Sequence, residues 1–143
     1  MNREKRILEK RGLSDQFRFL PFVPNIADAM SKMDGVVMPS RWEAVGLVAM
    51  EALVSGVPLL ASDCLGLREV TKDTPALTFP ADAPSSLAKV IKGWAKDPRK
   101  DDFEAFAPFA ATRFDVRNTA TKLQRLYARL SHGLPIENLG KAN

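Results

Sequence analysis

With 143 residues, 45% of them apolar and 27% charged, the chain has the make-up of one globular domain, able to bury roughly two thirds of its unfolded surface. A single cysteine and a single histidine exclude an internal disulfide, a zinc cluster and a Ser/His/Asp triad. The net charge of +4 is diluted by acids and lacks the interleaved aromatics of a single-strand nucleic-acid binder, and no apolar run approaches the ~20 residues of a membrane span.

Residues 3–11 read as a short polar helix that grips through Ile7 and Leu8 and ends at Gly12. Phe17-Arg18-Phe19-Leu20 alternates enough for a strand, stopped at Pro21. Asn25 is placed to cap a helix over 26–33 with Ile26, Ala29, Met30 and Met33 on one buried face. Asp34-Gly35 then turns the chain into a strand over 35–38. A helical pattern runs from about Val45 until Gly56-Val57-Pro58 closes it and a strand over 57–61 follows. In the next loop Cys64 reads as a small apolar filler, and Glu69 near a helix start is placed either to favour the helix dipole or to contact substrate.

Leu77-Thr78-Phe79 forms a last short strand, and a helix from 84 to about 95 carries Leu87, Val90, Ile91 and Trp94 on one face. Arg99-Lys100-Asp101-Asp102 reads as a solvated turn, followed by Phe103, Phe106 and Phe109 anchoring a short helix on the core. The final helix, 115–131, bears an apolar stripe of Val116, Ala120, Leu123, Leu126, Tyr127 and Leu130. His132 stands where it can cap that helix or be solvated. The reading is a domain over 1–131 and a tail over 132–143. The alternation of strands and helices predicts the α/β class: a Rossmann-like parallel sheet of about four strands with helices on both faces.

The stretch from Pro39 to Pro58 is where chemistry is concentrated. Glu43 precedes the helix and Glu51 lies inside it, with seven residues between them, about 12 Å along a helix axis. Between them, unpaired N–H groups near Gly46, Leu47 and Val48 form the positive end of the helix dipole. The order carboxylate, anion hole, carboxylate matches that of a nucleotide-sugar: ribose diol, diphosphate, hexose. Sites in such sheets lie beyond the carboxyl ends of the strands, where Pro39-Ser40 and Glu43 fall. Arg41 is placed to reach a phosphate or to stand as a solvated loop arginine beside Trp42.

Pro39-Ser40, Glu43, Gly46-Leu47-Val48, Glu51-Ala52, Gly56 and Pro58 together resemble the signature of family 4 (group 1) retaining glycosyltransferases of the GT-B fold, with its two glutamates separated by seven residues. The resemblance runs from Arg18-Phe19-Leu20 through Gly66 and Glu69 to the last helix, which corresponds to the later part of the C-terminal, donor-binding domain. It implies a hexose transfer from a UDP-, GDP- or ADP-sugar without metal or other cofactor. In that reading Glu51 binds the ribose hydroxyls, Glu43 is the catalytic residue beside the donor sugar, the amides of Gly46, Leu47 and Val48 hold phosphate, and Ser40 and Arg41 line the donor site. Phe22-Val23-Pro24 corresponds to the loop bordering the base. Val45 and Pro21 depart from the aromatic residue and the glycine common in relatives.

The resemblance covers an incomplete GT-B domain. In the usual strand order, strands 17–20 and 35–38 are separated by two strands not found here, a gap of about 10 Å that hydrogen bonds cannot span. The expectations are a rearranged sheet, a homodimer, or a partner chain such as the missing N-terminal domain. Donor binding without independent turnover is expected of the chain by itself, and a truncated, non-catalytic interaction module is the alternative. The N-terminus leads into no apolar signal core, so a cytoplasmic location is expected, with peripheral contact to a membrane left open.

Overall fold

The computed structural model describes residues 3–132. Three short strands, β1 (Val36–Met38), β2 (Leu59–Ser62) and β3 (Leu77–Phe79), form one parallel sheet in the order β1-β2-β3. The register sets Val36 beside Leu59 and Met38 beside Ala61, then Leu60 beside Leu77 and Ser62 beside Phe79. Side chains alternate across a sheet. Val36, Met38, Leu59 and Ala61 therefore share one face and join the main core.

The connections between strands are helices, as parallel neighbours require. α3 (Leu47–Val54) joins β1 to β2 and α4 (Leu67–Thr71) joins β2 to β3. Ala49, Ala52 and Leu53 of α3 and Leu67 and Val70 of α4 close over the core face. A longer helix, α6 (Lys100–Arg113), packs along α3 and drives Phe103 and Ala110, both fully buried, into the same core. The opposite face of the sheet is covered from the β3 side by α5 (Pro84–Trp94). Trp94 reaches back to Gly35, where a Cβ would stand 2.8 Å from its ring. Leu60 is buried on that face, whereas Val37 on β1 is 42% exposed, so cover thins toward β1.

Two expectations fail at the N-terminal side. Phe17-Arg18-Phe19-Leu20 is not a strand. Phe17 is extended, but among the described residues no strand pairs with the segment, and without a ladder its alternation forms no sheet. Among the described residues the sheet has three parallel strands flanked by helices, consistent with the expected α/β, Rossmann-like class with one strand fewer than the approximate four, and it is not rearranged to absorb a fourth. Phe17, Phe19, Leu20 and Phe22 stay exposed. α1 (Arg3–Lys10), ended by Gly12 at φ +65°, buries no residue and touches this segment through Lys5, whose Nζ stands 5.1 Å from the Phe19 ring centre. α2 (Ile26–Met30) is shorter than 26–33. Asn25 Oδ1 caps it by accepting from the Asp28 amide at 3.2 Å, but only Met30 is buried, while Ile26 and Met33 are exposed.

Past β3, residues 100–102 are the first turn of α6 rather than a solvated turn. Arg99 pairs with Asp102 at 2.7 Å, and Lys100 with Asp34 at 2.9 Å, which ties α6 to the turn before β1. α7 (Val116–Ser131) forms as expected, with Asp115 as N-cap and His132 as C-cap, yet none of its residues is buried. The expected tail over 132–143 lies outside the described residues beyond His132.

Candidate functional site

All three strands point their carboxyl ends the same way, and the loops leaving them meet there. Three contacts, and a fourth one step removed, fix Glu43 in the loop after β1. Its amide donates to the Leu65 carbonyl at 3.3 Å, and its Oε1 accepts from Ser40 Oγ at 2.8 Å. The carbonyl of Ser40 in turn accepts from Ser62 Oγ at 2.5 Å. Gly66, at φ +88°, lies so close that any Cβ there would collide with the Glu43 carbonyl. The glycine loop after β2 is thus a clamp on Glu43. Oε2 of Glu43 accepts no hydrogen bond among the described residues.

Gly46 follows at φ +68° and is the N-cap of α3. Only glycine takes this conformation without cost, and a Cβ would also stand 2.6 Å from Leu67 Cδ2. The first intrahelical bonds run from Ala49 and Met50 to the Gly46 carbonyl. The amides of Gly46, Leu47 and Val48 therefore have no acceptor among the described residues, as expected at a helix start. The axial spacing assumed for the two glutamates does not hold across the loop: the helix begins at Leu47, so only the span from Leu47 to Glu51, about 6 Å, follows the helical rise.

At about 100° per residue, Leu47, Val48, Glu51 and Val54 share the side of α3 opposite Ala49, Ala52 and Leu53. Leu47, Val48 and Val54 are exposed there, and Glu51 is half-buried. The Glu51 carboxylate has no hydrogen-bond or ion-pair partner among the described residues. One face of one helix thus carries free amides at its start and a free carboxylate one turn on.

Arg41 is committed elsewhere: its guanidinium pairs with Asp82 at 2.5 Å, joining the loops after β1 and β3. Asp82 is remote in sequence, so this partner could not be read from the motif. Asp63 knits the loops after β2 and β3 by accepting from the Ala81 amide at 3.0 Å. Glu69 is exposed, and its backbone carbonyl accepts from Arg113 at 2.7 Å, beside a pocket of about 330 Å³ that Val45, Met50, Val70 and Phe114 also line. Phe22 and Val23 are not brought to this cluster. Phe22 is 89% exposed, and Val23 lines a separate groove of about 490 Å³ against α2. Ser62 was not singled out from sequence, although a hydroxyl ending an otherwise apolar buried strand is the signal that marks it.

The model of the family described as glycosyl transferases group 1 matches residues 1–108. Among curated proteins, the chain is 35% identical over 124 residues to a D-inositol 3-phosphate glycosyltransferase of Jonesia denitrificans, covering 84% of this chain and 29% of that protein. It is 32% identical over 124 residues to the O-antigen biosynthesis glycosyltransferase WclY of Escherichia coli, covering 87% of this chain and 35% of that protein. Against a 2-deoxystreptamine glucosyltransferase of Streptomyces kanamyceticus it is 33% identical over 124 residues, with 83% and 32% covered. The chain spans about a third of the length of these relatives. On the family match, the chain belongs to the group 1 glycosyltransferases.

Proposed function

We propose that this chain is the donor-binding portion of a retaining glycosyltransferase that uses a nucleotide-activated hexose. The observation that carries the reading is the face of α3: unpaired amides at Gly46, Leu47 and Val48, an unpartnered Glu51 carboxylate one turn on, and Glu43 clamped beside the helix start. Anionic oxygens are favoured at such amides by about 0.3–1 kcal/mol at a surface and by more where water is excluded. The diphosphate belongs there. Glu51 accepts from the two ribose hydroxyls, bonds that are charge-assisted and stronger than neutral ones. Glu43 presents Oε2 to hydroxyls of the hexose.

As the bond from the sugar carbon to the diphosphate breaks, negative charge grows on the leaving oxygen, and amides already aimed at it lower the barrier without reorganising. The chain spans about a third of its relatives' length. We therefore assign it donor binding, and assign turnover to its combination with an N-terminal domain or a second chain that supplies the facing wall. Arg41 joins the donor site by exchanging Asp82 for phosphate. The test is calorimetric titration with UDP, GDP and ADP and their hexose conjugates, alongside Glu51→Ala. Saturable binding of one nucleotide, weakened at least tenfold in Glu51→Ala, supports the reading. Absence of binding to all of them leaves a non-catalytic module.

A further inference from the structure

We propose that Ser62 and Ser40 act in series as positioning residues that hold the Glu43 carboxylate in one orientation. This deepens the donor-site reading and rests on it only for its consequence at the sugar. The backbone ladder between β1 and β2 ends at the pair of Met38 and Ala61. One residue further on, Ser62 is fully buried, and its hydroxyl donates to the Ser40 carbonyl at 2.5 Å. The ladder is thereby continued by a side chain, which decides where Ser40 leaves the sheet. The half-buried Ser40 then donates its own hydroxyl to Glu43 Oε1 at 2.8 Å.

Each hydroxyl has one proton. Both protons are committed inside the protein, so neither serine can donate to a ligand, and Ser40 can offer a ligand only lone pairs. Glu43 Oε1 is occupied by a charge-assisted bond, while Oε2 keeps its acceptor capacity. The carboxylate is thus oriented before a ligand arrives. Holding a reacting group in place ahead of binding avoids the cost of ordering it during the event. Ser40, placed at the donor site by sequence, is in this arrangement a holder of Glu43 first.

Two measurements on the chain test this. Without ligand, three-bond couplings across the Glu43 Cα–Cβ bond report how many rotamers it populates. One rotamer is expected in the parent and in Ser40→Thr, which keeps the hydroxyl, and averaging is expected in Ser40→Ala and Ser62→Ala. An unaveraged Glu43 in a folded Ser40→Ala overturns the proposal, even where Ser62→Ala fails to fold. In the second measurement, UDP, GDP, ADP and their glucose or mannose conjugates are titrated. Ser40→Ala should remove about a five- to tenfold advantage of conjugate over nucleotide, restored by Ser40→Thr. If the parent shows no such advantage but the couplings behave as stated, the assignment of Glu43 to the sugar fails and the serine series stands.

Discussion

At the residue scale, the site is built by what glycine permits. Gly66 and Gly46 both sit at positive φ, but their crowding differs in kind: a Cβ at Gly66 meets the Glu43 backbone, whereas one at Gly46 meets the tip of the Leu67 side chain. Backbone cannot yield as a leucine methyl can. Gly66→Ala should therefore lower stability by about 2–3 kcal/mol in urea unfolding and weaken binding of the hexose conjugate, and Gly46→Ala should cost less. A Gly66→Ala chain as stable as the parent contradicts the clamp. Val45, half-exposed over the pocket of about 330 Å³, leaves room that an aromatic ring would fill. Val45→Phe is expected to raise the thermal midpoint through about 1 kcal/mol of added burial. Glu43, Gly46 and Glu51 were legible in the sequence because they stand within nine residues of one another, whereas the contact of Gly66 with Glu43 joins loops more than twenty residues apart. Ser62 and Asp82 were not, since each meets its partner only after the sheet brings remote loops together.

At the element scale, β1-α3-β2 was legible because a β-branched run, a helical pattern and glycine-proline punctuation follow in order. The phenylalanines of α6 show where periodicity misleads. A three-residue repeat drifts about 60° per step around a helix. Phe103 is buried, Phe106 half-buried and Phe109 60% exposed, while Ala110, two turns beyond Phe103, is the residue that returns to the core. Phe103→Ala should cost about 3–5 kcal/mol in urea unfolding, and Phe109→Ser no more than about 0.5. α7 depends on its cap. Asp115 accepts from the Arg117 side chain and backbone, and chiefly the side-chain bond holds its pKa below the ordinary 3.8. A folded pKa below the unfolded one contributes stability that is present above pH 3.8 and lost as pH falls through the lower folded value. Helix content should fall in that window, measured by circular dichroism, and Asp115→Asn should abolish that part of the pH dependence.

At the scale of the whole molecule, the sheet order explains which sequence expectations failed. Phe17-Arg18-Phe19-Leu20 has a strand's pattern but no neighbour, and β1 is an edge with Val37 bare on one face. The apolar stripe of α7 and the outer face of α3 are uncovered in the same way. Local pattern says which residues prefer a strand or a buried stripe, and only the partner surface decides whether that preference is met. Exposed edges promote pairing with another chain. Sedimentation should show concentration-dependent association of this chain, reduced by Val37→Lys, and a monomer at every concentration contradicts that expectation. Donor binding is tested most directly by following backbone amide resonances while the nucleotide that binds is added. Concerted shifts of Gly46, Leu47 and Val48, lost in Glu51→Ala, are the predicted result. Saturable shifts confined to the groove beside α2 or to α1, with those three amides unmoved, would contradict it.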